Sequence, residues 1–265
     1  TGIGGRQGSR NAPSVINAAF LSRLFWDGRA ASLEAQAQGP LTHPAEMGMA
    51  DMAAVAARVR SLPAYDAGFR DAFGGPATAT RIVRALAAFE RTLVAADTPY
   101  DRFVRGDDGA LTAQQVRGMA LFDSVGCRSC HADPTFSAAG LVRPNGTYRV
   151  FPVFANDRAR RHGLLVDGKA ARWRVPSLRN VARTAPYFHT GSVADLEEAV
   201  RVMAVSQLRK VLSDDPAAAI APARLETADG METRLTLLPG RALSARDVKD
   251  IAAFLRALSG DPAGE

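Results

Sequence analysis

Gly126-Cys127-Arg128-Ser129-Cys130-His131 is the stretch on which the reading of this chain turns. Its Cys-x-x-Cys-His spacing suits haem attachment. Two thiols add across the two vinyl groups of a haem, and the next residue brings an imidazole under the iron. A redox dithiol also uses Cys-x-x-Cys, but at a helix N-terminus that follows a strand. Here the motif follows a helical pattern, Thr112–Ser124, with no strand–helix alternation around it. A zinc centre needs further sulfur or histidine ligands at set spacing, and the chain has only these two cysteines and four histidines. Covalent haem c is therefore expected, anchored by Cys127 and Cys130 with His131 as an iron ligand, ahead of an isolated dithiol or a metal site.

Working outward, helical signals dominate. Thr112 with Gln115 forms a capping box before Val116, Met119 and Phe122. Asp195 with Glu198 does the same before Leu196, Ala199, Val200 and Met203. Ser244 with Asp247 opens an amphipathic segment carrying Val248, Ile251, Leu255 and Leu258, which Gly260 is expected to end. Ser32 caps a helix that Pro40 should follow. Asp51–Arg60 and Thr80–Val94 carry apolar residues at helical spacing. Tyr148–Phe154 and Thr233–Leu238 are the only strand candidates. Gly140–Ala171 and Asp214–Gly240 read as loops. Pro99, Gly106 and Gly109 punctuate Thr98–Asp108, which suggests two mostly helical domains, 1–105 and 106–265, with few short strands.

Composition narrows the function classes. Of 265 residues, 47% are hydrophobic and 23% charged, as in a globular protein. No stretch approaches about 18 uninterrupted apolar residues, so no membrane span is expected. The net charge is +6, but the arginines are scattered rather than gathered into the basic face that nucleic acid requires. Haem propionates would offset part of that charge. The chain starts at Thr1 without a signal peptide, as a mature product or a piece of a longer chain would.

A second axial ligand has to come from His43, His162, His189 or one of six methionines. Met203 lies on the apolar face of the helix that Asp195 opens. Thioether ligation raises a haem potential, whereas a core methionine only fills space.

Several further stretches, in order, resemble the bacterial di-haem cytochrome c peroxidase family, which includes MauG-like enzymes. They are Arg10-Asn-Ala-Pro13, Phe25-Trp-Asp-Gly-Arg-Ala30, Gln36 to Pro40, Glu46-Met47, Val175-Pro-Ser-Leu-Arg-Asn180, Thr184-Ala-Pro-Tyr-Phe-His-Thr-Gly191 and Leu196-Glu-Glu-Ala-Val200. The resemblance covers nearly the whole chain. It implies two cytochrome c-like helical domains, a high-potential relay haem ligated by His131 and Met203, and a peroxide-site haem in the N-terminal domain. Glu46 and Gln36 match residues lining the peroxide pocket, where a carboxylate can move a proton between the two oxygens. Trp26 matches a tryptophan between the haems and could equally be an interface filler. Asn11, with the carbonyls of Thr184 and Pro186, matches the ligands of an inter-domain calcium ion. His189 reads as a structural, hydrogen-bonded histidine.

The activity implied is periplasmic reduction of hydrogen peroxide, with electrons from a small cytochrome c or cupredoxin; a homodimer is also a family habit. The pattern departs in three places. One Cys-x-x-Cys-His is present where the family has two, so the second haem c is expected from a segment before Thr1. No histidine occurs between Thr1 and Asn11, and Ile3 stands near the place of the family's distal ligand. The connection 214–240 is longer than expected. MauG-like members carry tyrosine where Met203 stands, which favours the peroxidase branch over a MauG-like oxidase acting on a protein substrate. A mono-haem electron carrier is the remaining alternative.

Overall fold

A computed structural model describes residues 1–142, 146–215, 218 and 242–261. Its α-helices are α1 (Leu33–Thr42), α2 (Met52–Arg60), α3 (Pro63–Phe73), α4 (Ala79–Glu90), α5 (Pro99–Val104), α6 (Ala113–Val125), α7 (Asp157–Arg161), α8 (Leu196–Leu208) and α9 (Ala245–Arg256). Strands β1 (Tyr148–Phe151) and β2 (Ala171–Arg174) pair antiparallel, with Tyr148 opposite Arg174 and Phe151 opposite Ala171. The mostly α class expected from the sequence is what the chain adopts.

The caps explain where the helices begin. Ser32, Asp51 and Thr78 each accept a backbone N–H three residues on, which satisfies a donor the first turn leaves open. The boxes Thr112/Gln115 and Ser244/Asp247 form in both directions. At α8 only half of the expected box exists. Asp195 accepts the Glu198 N–H at 2.8 Å, but the Glu198 carboxylate is taken by Arg158 and by His162 Nε2, 3.1 Å away.

Four boundaries differ from expectation. Pro40 lies inside α1, although its ring nitrogen cannot bond the Gln36 carbonyl. The following turn clamps the helix end instead, with Met47 and Met49 donating to the Pro40 and Leu41 carbonyls, each at 3.1 Å. Helix α4 stops at Glu90, and the Leu93 carbonyl accepts the Asn17 N–H at 2.9 Å. Helix α9 ends at Arg256, before Gly260. The Gly140–Ala171 loop contains β1 and α7. The strand expected at Thr233–Leu238, and nearly all of 214–240, lie outside the described residues.

Helices α6 and α9 cross at very close range, because Gly118 has no side chain. A Cβ there would come 1.8 Å from the Asp250 carbonyl oxygen. Around this crossing Phe122, Phe136, Ile251 and Phe254 form the largest apolar cluster, joined by Tyr100 of α5 and by Leu196 and Val200 of α8. Smaller clusters hold α1 to α4 through Leu33 and Ala87, and α2 to α4 through Val55 and Ile82. A fourth joins Phe151, Leu164, Trp173 and Val202, with Met203 and Trp26 packed against it.

Candidate haem cavity

The Cys-x-x-Cys-His segment owes its shape to Gly126. This residue ends α6 in the left-handed region at φ 103°, where a side chain would be strained. The chain then tightens into a single turn, Cys127–Ser129. Ser129 Oγ donates to the Gly126 carbonyl at 2.7 Å. The Cys130 and His131 N–H groups both return to the Cys127 carbonyl, at 3.2 and 3.0 Å. Arg128 points away from this turn and pairs with Asp123 and Asp133. Both cysteines are free thiols. Burial, followed by the neighbouring Cys130, pushes the Cys127 thiol up to about 12.

His131 is 7% exposed. Its Nδ1 lies 3.1 Å from the Phe136 carbonyl oxygen. A carbonyl only accepts, so Nδ1 carries the proton and Nε2 keeps its lone pair. Burial lowers the imidazole to about 4, so the ring is neutral at neutral pH, as metal ligation requires.

A largely apolar cavity of about 250 Å³ opens beside this turn. Cys127, Cys130, His131 and Met203 all line it, together with Phe122, Leu196 and Leu255. Two thiols, an imidazole with a free nitrogen, a thioether and apolar walls are the donor set and surroundings of a haem c. Among the described residues no three of His, Cys, Asp and Glu gather into a metal-binding group.

Trp26 and the candidate calcium donors share this cavity. Trp26 Nε1 donates to the Asn11 carbonyl at 2.7 Å. Asn11 Nδ2 donates to the Pro186 carbonyl at 2.6 Å, and the Asn11 N–H to that of His189 at 2.8 Å. Segments 175 residues apart thus meet at Asn11, and Thr184 lines the same cavity. The Asn11 side chain meets the Pro186 carbonyl with its amide nitrogen, not its oxygen, whereas calcium takes oxygen donors.

His189 differs from expectation in how it is held. Its ring makes no hydrogen bond among the described residues. It stacks on Trp173 at 4.3 Å between centroids and meets Trp26 edge-on at 6.3 Å. Burial, helped by the nearby Arg10 charge, lowers it to about 4.

Gln36 and Glu46 do not line this cavity. Gln36 is half-buried on α1. The Glu46 side chain, in the turn after α1, is 45% exposed and 3.8 Å from His43 Nδ1. The N-terminal strand of chain lies directly on this turn. Ile3 donates to the Glu46 carbonyl at 2.7 Å, and Arg6 to that of Pro44 at 3.0 Å. Gly2 permits the approach, since a Cβ there would come 2.1 Å from the Ala45 carbonyl oxygen. The structure therefore sets Ile3 beside Glu46. Trp173 and Arg174, which lie outside the motifs of the sequence, also line the cavity. Their position just before Val175-Pro-Ser-Leu-Arg-Asn180 was the one available signal.

Residues 1–109 match the family described as di-haem cytochrome c peroxidase. The chain is 38% identical to cytochrome c551 peroxidase of Pseudomonas aeruginosa over 268 residues, covering 98% of this chain and 67% of that protein. The chain belongs to the di-haem cytochrome c peroxidase family. Other relatives of this family member include cytochrome c peroxidase Ccp of Escherichia coli K12, 35% identical over 98% of this chain and 50% of that one. MauG of Methylorubrum extorquens is 34% identical over 96% of this chain and 65% of its own length. The chain thus spans between half and about two thirds of these relatives. Among solved structures, a MauG-like protein associated with microbial copper homeostasis superimposes with a TM-score of 0.72 at 29% identity, over 97% of this chain and 77% of that one. The diheme peroxidase BthA of Burkholderia thailandensis does so with 0.68 at 25% identity, over 99% and 76%. Among the described residues no helix is long and apolar enough to cross a membrane.

Proposed function

We propose that this chain is the greater part of a cytochrome c peroxidase that reduces hydrogen peroxide to water. The observation that carries the reading is the shared apolar cavity of Cys127, Cys130, His131 and Met203, in a family whose relatives at 35–38% identity are named as peroxidases. Cys127 and Cys130 would hold haem c by thioether bonds, and His131 Nε2 and the Met203 sulfur would be the side-chain donors to its iron. When bound, that haem supplies reversible one-electron chemistry. The apolar walls keep water from the iron, which together with thioether ligation favours a high potential. The division at about residue 105 separates this relay domain from the peroxide-site domain.

The peroxide-site haem c is held by residues outside this sequence. Glu46 and Gln36 serve that site. The Glu46 carboxylate accepts a proton from one peroxide oxygen and delivers it to the other, which leaves as water. Two electrons and two protons convert each peroxide to two waters. Trp26, on the relay-haem cavity, lies on the electron path, and calcium on Asn11, Thr184 and Pro186 ties the segments around it. A small cytochrome c or cupredoxin donates the electrons. Haem c is attached outside the cytoplasm, so the protein works in the periplasm, as a monomer or a homodimer. A MauG-like oxidase is the second reading, since relatives named MauG match at 34–36% identity.

The test uses the protein carrying both haems. A pyridine haemochrome assay with intact mass counts the haems, and turnover is followed with peroxide and a reduced small cytochrome. Glu46→Gln should lower turnover by about 100-fold or more and leave the His131/Met203 spectrum intact. Met203→Ala should abolish the methionine-to-ferric-iron charge-transfer band. Full turnover in the Glu46 variant rejects its role, and a retained band rejects Met203 as ligand.

A further inference from the structure

Arg174, the last residue of β2, is 3% exposed. Its Nε donates to the Phe25 carbonyl at 2.9 Å and its Nη1 to the Val175 carbonyl at 3.2 Å. Its backbone N–H donates to the Trp26 carbonyl at 2.8 Å. Burial lowers the guanidinium to about 10, which leaves it charged at neutral pH. Among the described residues no carboxylate pairs with it. A buried cation with no carboxylate beside it is unfavourable. A half-buried arginine on the cavity is treated differently: Arg179 grips Asp101 with two bonds of 2.8 Å. Beside Arg174, the Trp173 Nε1–H is buried without an acceptor. Both residues line the cavity that holds His131 and Met203. Adjacent residues of β2, a cation without an anion and a donor without an acceptor, both line this cavity, and the cation calls for an anion in it: a carboxylate.

We propose that Arg174 is the counter-ion of a propionate of the haem anchored at Cys127 and Cys130, with the Trp173 Nε1–H as a second donor to that edge. The inference rests on the haem reading given above. A guanidinium suits a carboxylate because its planar N–H groups match two oxygens. The same side chain grips the Phe25 carbonyl, and its own N–H grips that of Trp26. Arg174 is therefore a positioning residue that fixes the Trp26 segment against the propionate edge of the haem. Its charge also stabilises the reduced, more electron-rich state and so raises the haem potential.

The experiment is spectroelectrochemistry of the haem-loaded protein, reading the midpoint of the His131/Met203 haem in wild type, Arg174→Lys and Arg174→Gln. The wild-type spectrum and haem count come first: absence of a haem at Cys127 and Cys130 overturns the underlying reading, separately from this one. Arg174→Gln is expected to shift the midpoint to lower potential with the methionine charge-transfer band retained. Arg174→Lys, which keeps the charge, should stay closer to wild type. An unchanged midpoint in Arg174→Gln, or an equal fall in both variants, overturns the proposal. Exchanging chloride for acetate or sulfate at constant ionic strength should leave the wild-type midpoint in place. Dependence on the anion would mean that a solution ion occupies the site, and also overturns it. Should Arg174→Gln fail to take up haem, Trp173→Phe replaces it: loss of the N–H donor lowers the midpoint, and an unchanged midpoint counts against the proposal.

Discussion

The His131 Nδ1 and the Phe136 carbonyl oxygen lie 3.1 Å apart, a bond that leaves Nε2 with the free lone pair that the proposed iron ligation needs. The carbonyl comes from the loop just after the motif, so the haem-binding turn carries its own orienting partner. Such partners set the tautomer and the ring plane of a ligating histidine. Phe136 also places its ring edge-on against Tyr100 and Phe254, with centroids 5.1 and 6.1 Å away. The ligand is thereby tied to the α6–α9 core rather than to a loop free to drift.

That core supplies a sharp test at Gly118. An exposed helical glycine replaced by alanine should gain about 1 kcal/mol from helix propensity. Here the added Cβ would meet the Asp250 carbonyl oxygen at 1.8 Å and Phe254 Cβ at 2.9 Å. Overpacking against backbone outweighs propensity, and Gly118→Ala is expected to destabilise by about 3 kcal/mol or more. Urea denaturation of the haem-loaded protein checks the sign. A gain in stability would mean that α6 and α9 do not cross at this distance.

The helix starts were legible because side-chain caps are local: Ser32, Asp51, Thr112 and Ser244 act where the sequence placed them. Three helices were not legible, α7 because it is only five residues long within a glycine-punctuated stretch, the other two for reasons at their starts. Helix α3 starts at Leu62–Pro63 with no side-chain cap to announce it. Helix α5 has a full box, Thr98 with Asp101, but Pro99 and Gly106 read as breakers, although proline is well suited to the first helical turn. At the site, the Cys-x-x-Cys-His turn was legible because five neighbouring residues define it. The burial of Arg174 and the stacking of Trp173 on His189 were not, since both depend on how β2 packs against distant segments.

Asn11 gives a test of the calcium reading. Its side-chain amide meets the Pro186 carbonyl at 2.6 Å, and Thr184 lines the same cavity. The oxygens are uncharged, so the site should be moderate in affinity and open to chelators. EGTA should lower the melting temperature of the haem-loaded wild-type protein, and added calcium should restore it. Asn11→Ala should melt lower at the start and respond to neither reagent. Equal melting of wild type with and without EGTA, with no calcium found by elemental analysis, would remove calcium from this position.

His189 makes stability depend on pH in a defined window. Its folded-state value is lowered from 6.5 to about 4, first by burial and then by Arg10. As pH falls below 6.5, the unfolded chain takes up a proton that the folded protein refuses until about pH 4. Stability is therefore level above 6.5, declines as pH falls towards 4 and levels again below it. His131 carries the same sign in the haem-free chain, but iron on Nε2 excludes its proton in the loaded protein. The carboxylates held below their usual range, Asp27, Glu34, Asp101, Glu198 and Asp250, lose their contributions only below their unfolded values of 3.8 to 4.5. Glu90, whose carboxyl burial raises above 4.5, works in the opposite direction in the interval from 6.5 down to 4.5, so His189 is read there by comparing a variant with wild type. In that interval His189→Phe, which keeps a ring against Trp173, should flatten the fall in the urea midpoint of the haem-loaded protein. A slope equal to that of wild type would assign the proton to another group and contradict the burial of a neutral His189 between the two tryptophans.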